Sequence, residues 1–139
     1  MKNIGKMIHV IDVKLKRKID RLADEYNLTL IQFIAMEHIF IASKKGDVFQ
    51  RDLEAALDVR RSTISNVLGI LENKGYIRWE SVACDARLKK LVLTSAGEST
   101  FIEFEQRLAQ DEAQDFQVFT DDEMETLLRL LKRLSETIK

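Results

Sequence analysis

The sequence predicts a mainly α fold with a small β-hairpin, or wing, on three observations. The 139 residues include no proline and only five glycines, whereas strand-rich folds need more turn residues. Apolar residues recur at spacings of three and four along most of the chain, which is typical of amphipathic helices. Between residues 76 and 93 the pattern becomes aromatic and alternating, which favours strands.

Two helices are expected in the first third of the chain. The first, over residues 5–25, places Ile8, Ile11 and Leu15 on one face because their spacings are three and four. The second, over about 30–43, is apolar nearly all round. A helix of that kind belongs in the centre of a core.

A short helix and a longer helix follow, with a tight turn between them. Residues 50–57 form the short helix, and residues 61–74 form the longer one, which ends in a base followed by Gly75. Only residues 58–60 separate them. Two helices of this length joined by so few residues form a helix-turn-helix.

The alternating segment after Gly75 predicts a hairpin. Residues 76–80 and 88–93 are the expected strands, and residues 81–87 are the expected tip. A hairpin directly after a helix-turn-helix makes the predicted architecture a winged helix-turn-helix.

Two helices complete the chain. A long helix is expected over about 95–116, and Thr120 with Glu123 forms a capping-box pattern that opens the last helix. The last helix carries an apolar stripe that includes Leu127, Leu131 and Leu134.

Positive charge is concentrated in the middle of the chain. Residues 60–90 carry seven Lys and Arg against three Asp and Glu, whereas residues 98–139 carry five against eleven. This distribution points to an anionic partner for the middle segment. An ordinary charged surface explains the same numbers about as well.

The start of the 61–74 helix has the side chains that read bases in a major groove. Arginine can clamp a guanine edge, asparagine an adenine edge, and Ser or Thr can serve bases or phosphates. The expected DNA contacts here are Arg60, Arg61, Ser62, Thr63, Ser65 and Asn66. The alternative is the polar solvent face of an amphipathic helix.

The hairpin adds a second set of candidate DNA contacts. Arg87 is placed to enter a minor groove, and Asp85 to hold its guanidinium. Lys89 and Lys90 are adjacent on a strand, so they point to opposite faces, and we expect only one of them to touch phosphate. The alternative is a soluble hairpin that its lysines protect from aggregation.

The remaining groups suggest no catalytic or metal chemistry. His9 and His38 are too isolated for a metal site, and no cofactor-binding or nucleophile motif occurs, so we expect no cofactor, no metal and no enzyme activity. A group of phenylalanines lines a ligand pocket or, more often, forms core or dimer packing. Its members are Phe101, Phe104, Phe116 and Phe119.

The chain is expected in the cytoplasm and away from membranes. Its single cysteine, Cys84, favours a reducing compartment, and there is no signal-like or membrane-spanning run. Cys84 is either an oxidant sensor or, by default, a passive surface thiol.

The hairpin and the helix-turn-helix together resemble the MarR family of bacterial regulators. Residues 52–65 look like that family's helix-turn-helix, and residues 71–77 are similar to the exit from its recognition helix. The resemblance to its wing motif rests on Asp85, Arg87, Leu91, Leu93, Thr94 and Gly97.

The resemblance implies a homodimeric regulator on double-stranded DNA. It implies one MarR-like domain over 1–139, with a DNA-binding lobe at about 30–93 and dimerisation helices at about 1–25 and 95–139. It also implies a palindromic operator and a small-molecule or oxidant effector. The residues expected at the dimer interface are Ile8, Ile11, Leu15, Leu127, Leu131 and Leu134.

Three positions depart from the family pattern. Asp58 replaces the usual turn glycine, which aspartate tolerates because it can adopt the left-handed conformation. Arg60 replaces the usual serine cap, and Ala86 stands where a second wing arginine is common. We therefore expect a weaker helix cap and a weaker grip on the minor groove.

Two other functions remain open at this stage. A winged-helix module that binds another protein fits the fold, although the basic segment argues against it. A small enzyme lacks any catalytic constellation. Whether a regulator of this kind represses or activates is also open.

Overall fold

The computed structural model describes residues 3–139 as two compact units, one ending at Glu105 and the other comprising Gln106–Lys139. The mainly helical fold with a two-stranded wing is confirmed. The expectation of a single domain stays a prediction. The elements are α1 (Ile4–Asp24), α2 (Leu30–Ala42), α3 (Gln50–Leu57), α4 (Arg61–Asn73), β1 (Ile77–Val82), β2 (Asp85–Leu93), α5 (Ser95–Asp115), a 3₁₀ turn (Phe116–Val118) and α6 (Asp121–Thr137).

The core of the first unit is built around α2. Phe33 stacks on Phe104 of α5, with ring centroids 3.7 Å apart, and both rings are buried. Phe40 packs against Phe101 at 5.2 Å. Phe101 and Phe104 are therefore core residues, as the commoner explanation of that cluster predicted.

The apolar helix α2 lies in the core as expected, but it is buried on one side only. Met36 and Ile39 are fully buried, but Ile34 is 41% exposed and Ile41 is 53% exposed. One side of α2 faces the core, and the other borders a groove toward α3. An all-round apolar sequence does not show which side a neighbouring helix leaves open.

The hairpin is longer and tighter than the sequence suggested. β1 continues to Val82 and β2 begins at Asp85, so the turn is only Ala83-Cys84. The predicted tip at 81–87 is therefore wrong for most of its length. The error arose because polar residues on an exposed hairpin have the composition of a loop.

A third segment extends the wing sheet. The backbone N–H of Leu91 donates to the carbonyl oxygen of Val48 at 2.7 Å, which makes an isolated antiparallel bridge. Val48 and Leu91 are both buried. The bridge ties the wing to the segment that precedes α3.

The junction between the wing and α5 is held by Thr94. Its hydroxyl donates to the carbonyl oxygen of Gly75 at 2.6 Å and accepts from the backbone N–H of Gly97 at 3.0 Å. Gly75 has a φ of 76°, in the left-handed region that glycine occupies without strain. These contacts explain why the motif has threonine at position 94, and glycine is needed at position 97 because a Cβ there would collide with the carbonyl oxygen of Tyr76.

The second unit contains the predicted capping box. The Thr120 hydroxyl accepts from the backbone N–H of Glu123 at 3.2 Å, and the Glu123 carboxylate accepts from the Thr120 N–H at 2.9 Å. The start predicted for the last helix is confirmed. Every side chain of α6 remains at least partly exposed within this single chain.

Candidate nucleic-acid interface

The turn before α4 is the first element of the candidate interface. Asp58 has a φ of 51° and a ψ of 50°, so it adopts the left-handed conformation expected of it. Arg60 occupies the N-cap position of α4 and makes no side-chain hydrogen bond to the first turn. The predicted weak cap is confirmed, and the Arg60 side chain is exposed.

The first two turns of α4 separate polar from apolar side chains. Ile64, Val67 and Leu68 are buried against the core. The exposed residues are Arg61, Ser62, Thr63, Ser65 and Asn66. These side chains form one accessible face rich in donors, which we call the α4 polar face. Their contact with DNA stays a prediction.

The α4 polar face has a support that sequence reasoning missed. The side-chain amide of Gln50, the first residue of α3, donates to the Ser65 hydroxyl oxygen at 2.8 Å. No local pattern predicts a pair separated by fifteen residues. The only signal was the short turn, which brings the start of α3 near α4.

Arg87 is a highly accessible charged group on the hairpin. Its side chain is 93% exposed, and Nε lies 3.6 Å from the Asp85 carboxylate. The same carboxylate accepts the backbone N–H of Arg87 at 2.9 Å. Asp85 is thus positioned to orient Arg87 as predicted, although Arg87 lies on β2 beyond the turn.

Lys89 and Lys90 face different partners across the hairpin. The Lys89 ammonium donates to the Ser81 hydroxyl at 2.8 Å. The Lys90 ammonium lies 3.4 Å from Asp47 and 4.0 Å from Glu80. Lys90 therefore has its charge offset within the chain, so of the two lysines Lys89 is better placed to reach phosphate.

The remaining candidates are single groups with no cluster of similar residues around them. Cys84 is exposed in the hairpin turn itself. His9 is exposed on α1, and His38 borders the groove beside α2. Within residues 3–139, no group of three or more His, Cys, Asp or Glu residues could hold a metal ion. Over the same residues, no helix is both long and apolar enough to cross a bilayer.

A short helix, a tight turn, an exposed polar helix and a basic hairpin define a winged helix-turn-helix protein. Solved structures of that class match nearly the whole chain. Wild-type MarR from Escherichia coli, in its apo form, is 25% identical, with a TM-score of 0.82 over 96% of this chain and 97% of that one.

Two further structures show the same fold. MepR, a transcription regulator of the Staphylococcus aureus multidrug efflux pump MepA, is 22% identical, with a TM-score of 0.85 over 98% of both chains. A mutant of Escherichia coli MarR complexed with operator DNA is 25% identical, with a TM-score of 0.74 over 96% of this chain and 94% of that one.

The sequence model of the MarR family matches residues 26–88, which include α2, α3, α4 and most of the hairpin. With the structural match over almost the full length, this makes the chain similar to the MarR-family regulators in its helix-turn-helix and wing. The resemblance to this family that the motifs indicate is confirmed over these residues.

Proposed function

We propose that this protein is a sequence-specific DNA-binding transcriptional regulator that acts as a homodimer on a palindromic operator. The observation that carries the proposal is the α4 polar face, which is exposed while the same helix is anchored by buried Ile64 and Leu68. A helix presented in this way fits a major groove. The Escherichia coli MarR mutant complexed with operator DNA supports the assignment.

The wing supplies the second contact of the proposed interface. Arg87 projects into solvent with its guanidinium beside Asp85. An arginine on a narrow hairpin suits a minor groove, where the negative potential of DNA is strong. We assign phosphate contacts to Arg60 and Lys89, which are both exposed.

The dimer proposal rests on exposed apolar residues in the first and last helices. On α1, Ile8 is 41% exposed and Ile11 is 47% exposed, and on α6, Leu131 and Leu134 are exposed as well. Leu15 and Leu127 are partly buried in the single chain. Soluble proteins rarely leave such stripes uncovered, and a second copy buries them.

The proposal extends to regulation and location. We assign the protein to the cytoplasm, where its single thiol stays reduced. Operator occupancy blocks transcription, by analogy with the multiple antibiotic resistance repressor MarR. A small effector changes occupancy when it binds the DNA-competent geometry and the other geometry with different affinities.

Selection of bound sites from a random DNA library tests the proposal. We expect an inverted repeat whose half-sites lie about one helical turn apart, since two copies of α4 must reach the same side of the duplex. An enriched single half-site would contradict the dimer. No enrichment at moderate salt, together with a tight protein partner in a pull-down, would favour a protein-interaction module instead.

The oligomeric state is tested with a matched pair of variants on α1. Ile11→Ser removes an exposed apolar side chain, and Lys14→Ser removes an exposed charged one. By sedimentation equilibrium we expect the first variant to weaken the dimer and the second to leave it unchanged. Leu131→Ser makes the corresponding test on α6.

A further inference from the structure

The face of the wing sheet that points away from the core carries a row of alternating charges. Leu91 is buried, so the adjacent Lys90 lies on the opposite face of β2. Lys90 pairs in register with Glu80 on β1, and Arg78, two residues before Glu80, shares that face. On the other side of Lys90 lies Asp47, because the segment before α3 bridges to β2. We call Asp47, Lys90, Glu80 and Arg78 the wing charge row.

Short contacts join the members of the wing charge row. Lys90 Nζ lies 3.4 Å from Asp47 Oδ1 and 4.0 Å from Glu80 Oε1. Arg78 Nε donates to the other carboxylate oxygen of Glu80, Oε2, at 2.8 Å. Two cations and two carboxylates cancel formally, so the row adds no net charge to the wing. The Lys90 side chain is 31% exposed, against 54% for Arg78.

The other two cations of β2 are more available to an anionic partner. The Lys89 ammonium donates to the neutral hydroxyl of Ser81, and Arg87 is 93% exposed beside a single carboxylate. Lys90 lies three residues from Arg87, which is at most about 10 Å along an extended strand. Its place on the hairpin would therefore suit a phosphate beside the groove that Arg87 enters in the proposed complex. The two carboxylates next to Lys90 are what sets it apart.

We propose that Asp47 and Glu80 keep Lys90 from contacting DNA, and so hold the affinity of the wing below the value that its cations alone would give. A phosphate that approaches Lys90 also approaches both carboxylates, and like charges repel at such distances. Asp47 is the main restraint, because its carboxylate is the nearer one and Glu80 is shared with Arg78. The inference rests on the proposed function, since it concerns the same DNA-binding surface.

The restraint acts on the part of binding that does not depend on sequence. Lysine contacts to phosphate carry no base discrimination, whereas the α4 polar face is the element proposed to read bases. Loss of one phosphate contact therefore lowers the affinity for the operator and for unrelated DNA by the same factor. Asp47 and Glu80 accordingly set affinity and leave the ratio between specific and non-specific binding unchanged.

Asp47→Asn tests the proposal, because the exposed side chain keeps its shape and loses its charge. We expect binding to tighten roughly twofold to fivefold, both for the selected operator and for a duplex of unrelated sequence. The slope of log affinity against log salt concentration should steepen by about 0.9, the value for one additional phosphate contact. Fluorescence-anisotropy titrations at several salt concentrations measure the affinity and the slope.

Two controls separate the release of Lys90 from a general loss of negative charge. In a Lys90→Met background, Asp47→Asn should leave the DNA affinity almost unchanged, because no ammonium remains to be released. Glu72→Gln removes one exposed carboxylate from the last turn of α4, outside the wing charge row, and should leave the salt slope nearly unchanged. If Glu72→Gln steepened the slope as much as Asp47→Asn, net charge would explain both results and the proposal would be wrong.

The remaining outcomes separate this proposal from the proposed function. A gain in affinity that persists in the Lys90→Met background would overturn the proposal and leave DNA binding intact. The same holds if Asp47→Asn weakens binding, since Asp47 would then anchor the wing, or if it changes nothing. If the unaltered protein bound neither duplex at low salt, the proposed function would fail and this proposal with it.

Discussion

The amide nitrogen of Gln50 donates to the hydroxyl oxygen of Ser65 across 2.8 Å, which links the first residue of α3 to the α4 polar face. Because Gln50 donates this bond, the Ser65 hydroxyl keeps its own hydrogen to donate elsewhere. Ser65 is exposed, so its remaining partner lies outside the chain. In the proposed complex that partner is an acceptor on DNA, either a phosphate oxygen or a base edge.

Gln50→Met should therefore weaken operator binding through Ser65 and not directly. Methionine keeps the length of the side chain but removes the donor, and the loss of one oriented hydrogen bond corresponds to roughly a fivefold to tenfold weaker affinity. Fluorescence-anisotropy titrations would measure it. In a Ser65→Ala background the same substitution should leave the operator affinity almost unchanged. Additive losses would mean that Gln50 contacts DNA on its own.

Arg87 and Lys90 should differ in how strongly they affect the salt dependence of binding. Arg87→Ala removes an accessible cation, so we expect weaker binding and a shallower salt slope, by about 0.9 for each phosphate charge no longer neutralised. Lys90→Met is the control, since the ammonium of Lys90 already lies near Asp47 and Glu80. Titrations at several salt concentrations give both slopes. If Arg87→Ala and Lys90→Met changed the salt slope equally, Arg87 would not be the main cation of the hairpin that contacts phosphate.

Gly97→Ala should destabilise the protein, because a Cβ at this position would collide with the carbonyl oxygen of Tyr76. That oxygen also accepts the backbone N–H of Thr94 at 3.0 Å, so it cannot move away freely. Overpacking of this kind costs about 1–3 kcal/mol in the free energy of unfolding. Urea denaturation followed by circular dichroism measures it.

Gly69→Ala is the matched control for this clash. A Cβ at Gly69 meets no atom within 4 Å, and the residue lies inside α4. Alanine there should stabilise the fold by about 0.4–1 kcal/mol, because it restricts the unfolded chain. If both alanine variants changed stability in the same direction, the close approach to Tyr76 would not be the cause.

Local chemistry made much of the fold predictable from the sequence. The capping box at Thr120, the left-handed turn at Asp58 and the apolar spacing of α4 are each set by neighbouring residues. The start of β2 was misplaced because the residues around Cys84 lack the alternating pattern of a strand, although Val82 pairs with Asp85 across the turn.

The features that escaped prediction depend on contacts between distant residues. The pairing of Lys90 with Asp47 spans forty-three positions. It changes Lys90 from a candidate phosphate contact to a partly neutralised group. Glu37 on α2 interacts with Glu105 on α5. The spacing of apolar residues along each helix does not indicate how the two helices are placed relative to each other. Apolar spacing also could not show which side of α2 stays open.

Glu105→Gln should raise stability at neutral pH and flatten its pH dependence. Partial burial and the neighbouring Glu37 raise the pKa of Glu105 above its ordinary value of 4.5, so the folded chain holds this proton more tightly than the unfolded chain. Below the ordinary pKa the proton contributes its full stabilisation of the fold. This stabilisation is lost as the pH rises through the raised pKa. The effect should be modest, because the carboxyl group is only partly buried. Urea unfolding of both proteins from about pH 4.5 upward, with Glu103→Gln as the control, measures the difference. If the stability advantage of Glu105→Gln over the unchanged protein became smaller as the pH rose, Glu105 would be stabilised as the carboxylate and the prediction would be wrong.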